Sequence, residues 1–514
     1  MSPSISPSPS ASPEPTSQYD YYPRVADAAD GRFAITWMRG DGTTGPTGLP
    51  NNPVVMAQCF TSDGSPTTAQ FVVPTYGSGV NSSYPAIAMA PDGSFVITWH
   101  GPDINDDSGI HARMFNASGV PLGDQFEVNA LSNSLYSYPS IGMRATDKSF
   151  TIVWEQYYYD LRYGNGRFIF GQRFNAAGTK LGGQFLVSPT TVGLQKRHPD
   201  IDIADNGNMF VVWDDVRSPY EVYGIRFNSS GSAIGGEFKI NTTTNSMQDY
   251  MYPRVSVASN GLCAVAWGCY PDASGWGVRA RRYDANGNAQ GNDFLANQHE
   301  ANWQYLPDVA CDTNGNFTIA WQSYNNPDDP ITSDYGIIAR QFNAAGAATT
   351  NEYVVNNPNL EHRGIGNQLS PAVTRRAGSG KWTCAWYGYQ GIAPSGGILG
   401  IWHSQVAGSP LPPISWNLTA PLSGSFSAGT PITVGWTATG CQSGYIVNLC
   451  YTTDSGWGGT PHWISIGEIP AINGQSSWVW DTTGVPPGTY YIAGYIWNGS
   501  SPTYAHASST FIIT

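Results

Sequence analysis

Residues 84–99 read YPAIAMAPDGSFVITW, and residues 109–129 read GIHARMFNASGVPLGDQFEVN. In the first stretch Pro85 stands 14 residues before Trp99. The same pair recurs as Pro23/Trp37, Pro139/Trp154, Pro199/Trp213, Pro253/Trp267, Pro307/Trp321 and Pro371/Trp386, every separation being 14 or 15 residues. Seven copies at so constant a spacing are an internal repeat, and the repeat decides the fold before any single element does.

Each copy predicts four short strands. AIAMA, small and apolar, suits a crowded centre, and the turn at Asp92-Gly93 (Asn314-Gly315 in a later copy) accepts the positive φ of a tight hairpin. FVITW is the second strand and GIHARMF the third, closed by the turn at Asn116–Gly119, and FEVN is the fourth. Four antiparallel strands repeated radially make a propeller. The expectation is all-β: a seven-bladed β-propeller over 20–406, a linker over 407–414 and an immunoglobulin-like β-sandwich over 415–514. After Trp402 no FEVN-type strand follows, so the seventh blade is expected to keep three strands unless residues before Tyr22 close the ring.

Composition agrees with this fold. The chain has 59 Gly, 37 Pro, 13% aromatic and 12% charged residues, and no amphipathic run of helical period. A net charge of −13 argues against nucleic acid or an anionic membrane as partner, and no apolar run is long enough to cross a bilayer. Residues 1–19 begin MSPSISPSPSASPEPTSQ, a Ser/Pro-rich linker rather than a signal peptide. Such linkers join extracellular modules, so an export signal or a further domain is expected upstream. Of the seven cysteines, Cys441/Cys450 and Cys263/Cys311 could pair, while buried thiols are the plainer expectation.

The segments DGSFVITW, GIHARMFNASG and GGEFKINTTT resemble a repeat of large secreted bacterial proteins, often found beside hemolysin-type calcium-binding repeats. The resemblance covers residues 20–406 and implies an extracellular bacterial β-propeller, a scaffold with no set reaction. From Ser415 to Thr514 there is no Lys or Arg, against 24 before it. There PITVGWTA, GYIVNLCY, SSWVWDT and GTYYIAGYIW alternate as strands. LCYTTD, WVWDTTGVPPGTYYIAGYIW and PTYAHA resemble C-terminal modules of planctomycete-type secreted proteins. Trp457, Trp463 and Trp497 could offer a sugar-stacking face there, or sit in the core.

Loops from strand four to the next strand one, and from strand two to strand three, share one end of the propeller and are the variable ones. That end is the expected working face. Just after the tryptophans stand Met38, His100, Glu155, Asp214, Gly268, Gln322 and Tyr387. Glu155, Asp214 and Asp215 are the catalytic candidates: one carboxyl donates a proton while another attacks or activates water. Lys196, Arg197, His198 and Arg217 lie near them in sequence, His198 replacing the Tyr that precedes proline in most earlier copies. Tyr157, Tyr159, Trp276, Trp303, Tyr305 and Tyr387 are the substrate-binding candidates. The plainer alternative is that the carboxylates pair with arginines and the aromatics cover the ring. Asp103, Asn105 and Asp107 space oxygen ligands as a calcium loop does, without the closing Glu, and Asp328, Asp329 and Asp334 do so more weakly. No cofactor is otherwise expected.

No nucleophile elbow, phosphate loop, HExxH motif or Rossmann fingerprint occurs, and sialidase Asp-boxes are absent. The function expected is a secreted, monomeric, endo-acting glycoside hydrolase on a neutral, β-glucan-like polysaccharide. Its rivals are a non-catalytic glycan- or protein-binding adhesion module, and a polysaccharide lyase using His198, Arg197, Arg217 and a tyrosine.

Overall fold

The computed structural model describes residues 19–40, 52–75, 81–102, 108–130, 135–160, 164–188, 195–216, 220–243, 251–270, 275–300, 302–324, 335–356, 367–375, 382–390, 398–406, 415–421, 423–439, 446–453, 462–470, 474–497, 502–507 and 509–514. Among them every regular element is a β-strand. The chain divides into two compact units, Ser4–Gly408 and Ser409–Thr514, the second also taking Met1–Pro3.

Among the described residues the first unit holds six four-stranded sheets and one three-stranded sheet, each in chain order, arranged like propeller blades. The first strands are Tyr19–Asp27, Ser83–Met89, Leu135–Met143, Lys196–Ile203, Arg254–Val257, Gln304–Cys311 and Gln368–Arg375. Each packs on the next, and Tyr19–Asp27 packs on Gln368–Arg375, so the series closes on itself. The cores lie between sheets: Ala86, Ala88 and Val96 of the second sheet meet Ile141, Ile152 and Trp154 of the third.

The proline–tryptophan spacing has a structural cause. In the ladder of the third sheet Glu155 pairs with Ser137 and Val153 with Ser140, which leaves Trp154 opposite the bulged pair Tyr138-Pro139. The same skip occurs at Trp37, Trp99, Trp213, Trp321 and Trp386. A bulge is where a ladder donor is dispensable, so proline fits. The tryptophans themselves are buried between sheets.

The turn meets its expectation, and the fourth strand is shorter than expected. At Asp92-Gly93 only Gly93 has positive φ (+87°), and Gly93 N–H bonds Ala90 C=O (2.9 Å) while Ala90 N–H bonds Ser94 C=O (2.8 Å). This is a three-residue loop, a type I turn closed by a left-handed glycine, so the positive φ expected of the Asp-Gly turn falls on the glycine. A Cβ on Gly93 would stand 2.8 Å from Arg32 Cδ. The FEVN segment is only a two-residue strand, Phe126–Glu127, because Asn129 ends it with its side chain, Oδ1 accepting Ile110 N–H at 2.6 Å. Asn241, Asn297 and Asn356 do the same for Val222, Val278 and Ile337.

Among the described residues the seventh sheet has three strands, Gln368–Arg375, Trp382–Gln390 and Ile398–Val406. It meets the first sheet through Ala372, Ala385 and Tyr387 packed with Val25, Phe33 and Trp37. Thr374 Oγ1 also donates to Asp27 Oδ1 at 2.5 Å.

In the second unit one sheet joins Ser415–Ala420, Ile432–Thr439 and Gly474–Trp480. The other runs Ser425–Phe426, Phe511–Ile513, Gly488–Trp497, Ile446–Thr452, His462–Pro470, with Pro502–His506 also on Gly488–Trp497. Trp416, Val434 and Trp436 of the first share a core with Val447, Leu449, Ile492 and Phe511 of the second. Tyr490 Oη donates to Pro486 C=O at 2.8 Å. Cys263 and Cys311 are free thiols, so that expected pairing is not made; Cys450 is a buried thiol, and Cys441 lies outside the described residues.

Candidate functional site: a collared channel

The closed series of first strands surrounds a cavity of about 810 Å3, lined by residues of all seven. At one level stand the residues before the repeat prolines, Tyr22, Tyr84, Tyr138, His198, Tyr252, Leu306 and Ser370. All seven have positive φ, between 45° and 52°. A non-glycine residue there costs about 1–2 kcal/mol, so a sevenfold recurrence means that the bulge enforces it. The bulge turns these side chains toward the cavity. Tyr84 and Tyr138 lie 4.2 Å apart between ring centroids, Tyr138 and His198 4.6 Å, His198 and Tyr252 4.3 Å. Four adjacent sheets thus supply a continuous aromatic arc, which Leu306 and Ser370 interrupt.

In three sheets the residue after the tryptophan holds this collar. Glu155 Oε2 accepts the backbone N–H of His198 (3.4 Å), Asp214 Oδ2 that of Tyr252 (3.4 Å), and Gln322 Oε1 that of Ser370 (2.9 Å). Each reaches from one sheet to the strained residue of the next. Glu155 is 1% exposed, ion-paired with Arg167 and bonded by Ser137 Oγ at 3.3 Å. Asp214 is 1% exposed and accepts from His198 Nδ1 at 2.7 Å; burial pushes its carboxyl up, and His198 pulls against that. Asp215 is fully buried and pairs in the ladder with Lys196. The three carboxylates therefore sit inside strands, not on loops; of the expected catalytic group Glu155, Arg197 and His198 line the cavity, with Arg167 beside them, and Asp214 and Asp215 do not. Lys196 is also buried, its ammonium 3.5 Å from Glu237 and 5.9 Å from the Trp213 ring centroid.

Deeper in the channel the residues after the prolines bring charge together. Arg24, Asp200, Arg254 and Asp308 line it, from the first, fourth, fifth and sixth sheets. Burial pushes Asp308 up to about 6, against the pull of Arg254 and Arg24. One step further, burial pushes Asp202 up to about 7 although its carboxylate accepts from Val257 N–H at 2.7 Å.

Three expected binding residues converge in a smaller pocket of about 270 Å3: Trp276, Trp303 and Tyr305, with Met251, Tyr252, Gly268 and Leu306. Gly268 is the one post-tryptophan residue without a side chain, and the Trp276 ring lies 3.6 Å from where its Cβ would be. Trp303 is 51% exposed. Tyr252 belongs to both this pocket and the collar. Tyr387 is buried against Tyr21 (5.7 Å) and Tyr22 (5.8 Å). Tyr157 lies on Phe150–Asp160, as does Tyr159, whose side chain is outside the described residues.

Arg217, Asp103, Asn105 and Asp107 also lie outside the described residues, as do Asp328, Asp329 and Asp334. Among the described residues no three His, Cys, Asp or Glu side chains cluster to hold a metal. None of these contains a helix long and apolar enough to cross a membrane. In the second unit Trp463 is exposed, edge-on to Tyr495 (5.7 Å), which meets exposed Tyr504 (5.7 Å); the side chains of Trp457 and Trp497 are not described.

Sequence reasoning missed the collar tyrosines and the arginines below them. A Tyr-Pro dipeptide in four of the seven repeats was the available signal. An X-Pro dipeptide ordinarily reads as extended, which hides the left-handed turn.

No protein-family model matches the sequence, and no curated protein does. Among solved structures the chain is similar to a protein of unknown function from Dyadobacter fermentans, with 10% identity, 77% of this chain and 96% of that one covered, and a TM-score of 0.46. It is also similar to an α-L-arabinofuranosidase from Fusarium graminearum in complex with an iminosugar inhibitor (10% identity, 65% and 95% covered, TM-score 0.39). A third is an α-L-arabinanase from Penicillium chrysogenum complexed with arabinobiose (12%, 63% and 93%, TM-score 0.39). The last two are glycoside hydrolases by name, and likeness at this level bears on neither substrate nor reaction in the present chain.

Proposed function

We propose that the protein is a secreted polysaccharide-binding seven-bladed propeller with an immunoglobulin-like accessory unit, and that a sugar chain enters the channel across the collar. The observation that carries this reading is the contiguous arc Tyr84, Tyr138, His198, Tyr252 at the rim of an 810 Å3 cavity, joined through Tyr252 to the Trp276–Trp303–Tyr305 pocket. Pyranose CH faces pack on aromatic planes, and tyrosine adds a hydroxyl to orient them. The collar offers ring faces rather than formal charge, which suits neutral sugar units there. The two-sheet core and the Tyr490–Pro486 bond support the immunoglobulin-like reading of the second unit.

Binding is preferred to hydrolysis because Gln322 does in the sixth sheet what Glu155 does in the third, and an amide cannot exchange a catalytic proton. Hydrolysis is the second reading, favoured by one observation. Asp308, pushed up to about 6, could donate a proton in the same cavity where Glu155 is ion-paired with Arg167.

Calorimetric titration with a panel of soluble neutral oligosaccharides tests the first reading. Trp303→Ala, at an exposed position, and Tyr138→Phe/Trp303→Ala should weaken binding about tenfold or more, roughly 1.4 kcal/mol, with unchanged melting. Reducing-end release abolished by Asp308→Asn and by Glu155→Gln would establish the second reading instead; an unsaturated, ultraviolet-absorbing product would point to a lyase using His198.

A further inference from the structure

The seven positions after the repeat prolines form one layer of the channel: Arg24, Ala86, Ser140, Asp200, Arg254, Asp308 and Ala372. Their charges are not equally satisfied. Asp200 accepts from Ser140 Oγ (2.7 Å) and Val255 N–H (2.9 Å), stitching three successive sheets. Asp308 accepts from Val373 N–H at 2.7 Å, and Arg254 Nε stands 3.9 Å from it. Among the described residues Arg254 otherwise donates to Pro253 C=O alone, at a long 3.3 Å. Arg24 makes one hydrogen bond among the described residues, to its own neighbour Pro23 C=O at 3.0 Å, and no ion pair.

A guanidinium has five N–H donors, and a partly buried one left without an acceptor is costly. Here two converge from the first and fifth sheets, close enough that Arg254 helps burial to push Arg24 down to about 10. Like charges held together in a cavity, with donors to spare, have the form of an oxyanion site. Asp200 is committed through both oxygens, while Asp308 is committed through Oδ2 and turns Oδ1 toward Arg254; both attract Arg24 through space, and neither makes an ion pair with it. The small side chains Ala86, Ser140 and Ala372 leave this layer open, and the collar above it selects rings. The layer itself is neutral, Arg24 and Arg254 standing against Asp200 and Asp308, so the chain's net −13 does not set its field.

We propose that the channel beneath the collar binds the oxyanion of an acidic sugar unit, a uronate carboxylate or a sulfate ester, between Arg24 and Arg254. The identification of the ion's carrier as a sugar rests on the reading of the collar as a glycan site; the anion site itself does not. Arginine forks match the two oxygens of a carboxylate, and lysine does not reproduce that match. The glycan taken up would then pair ring stacking at the collar with one acidic unit below it.

The test uses the full chain in calorimetric titration. The probes are trigalacturonate, its carboxyl-reduced neutral counterpart, a sulfated galactose trisaccharide, and inorganic sulfate alone. Trigalacturonate or the sulfated trisaccharide should bind at least tenfold more tightly than the neutral one, and which of them does so tells the carboxylate from the sulfate ester. Arg24→Gln should remove that preference while leaving neutral binding as it was. Arg24→Lys should recover only part of it, and it keeps the test valid should Arg24→Gln melt early. Equal binding of acidic and neutral trisaccharides, or an acidic preference that survives in Arg24→Gln and Arg254→Gln, would overturn the proposal. Sulfate binding that needs Arg24, without any trisaccharide binding, would uphold the anion site and sink the collar reading instead.

Discussion

At the position after the repeat tryptophan, Glu155 and Gln322 do the same work with different charge. Each accepts the N–H of a residue held at positive φ in the next sheet. Glu155→Gln keeps that acceptor and loses only the attraction to Arg167, which is itself partly exposed. It should cost about 1–2 kcal/mol in a denaturant midpoint, whereas Glu155→Ala leaves a buried N–H and a guanidinium unmet and should cost about 3 kcal/mol or more. Equal losses in the two variants would mean that the backbone bond contributes nothing. Asp202 and Asp308 set a pH dependence. Both are raised by burial, to about 7 and about 6, from 3.8. Each binds its proton more tightly folded than unfolded, so its contribution to stability is complete below 3.8 and lost as pH rises through those values. Urea midpoints should fall from pH 5 to pH 8, and Asp202→Asn should flatten that fall. An unchanged slope in the variant would remove Asp202 from the account.

At the scale of the element, the short fourth strand is completed by a side chain. Asn129, Asn241, Asn297 and Asn356 each accept an N–H from the second or third residue of a third strand, and in the third repeat Ser188 Oγ takes the role for Ile169 at 3.1 Å. Asn241→Ala should therefore cost about 1–3 kcal/mol, the penalty of a buried unmet donor. Asn241→Ser should recover part of it, as thermal melts of the two variants would show; identical melting would contradict the role given to Ser188. This asparagine was visible in the FEVN and KIN segments as a recurring letter, and the pairing of proline with tryptophan was visible as a spacing. The bulge that explains the spacing was not, because X-Pro carries no local sign of a left-handed residue. Glu155 and Asp214 stood out in sequence for their charge, yet burial and the backbone bonds they accept come from the neighbouring sheet. Trp276, Trp303 and Tyr305 were legible as aromatics, and their convergence was not, because it joins residues of the fifth and sixth sheets in one pocket. The shortage of acceptors around Arg24 could not be read from one repeat, since its electrostatic neighbours belong to the fourth, fifth and sixth sheets.

At the scale of the whole molecule, stability depends on closing the series of sheets, and the closure is made without a shared sheet. The Ser4–Gly408 unit has its first sheet in residues 19–72 and its last in residues 368–406, and no ladder joins them among the described residues. What joins them is the packing of Tyr19–Asp27 on Gln368–Arg375 and Trp382–Gln390, the shared cluster of Val25, Trp37, Ala372, Ala385 and Tyr387, and the Thr374–Asp27 bond. A chain beginning at Ala28 loses the inner strand of the first sheet and with it Val25, Tyr21, Tyr22 and Arg24. It uncovers Ala372, Ala385 and Tyr387 on the facing sheet. At about 1.5–3 kcal/mol for each large apolar side chain returned to water, three or four such losses approach the 5–15 kcal/mol that holds a domain folded. Differential scanning calorimetry of residues 28–514 against residues 19–514 should show the propeller transition broadened or lost. The transition of the Ser409–Thr514 unit, whose core draws on neither, should persist. If both chains instead gave the same propeller transition, closure through the first strand would not be what makes the seven sheets fold together.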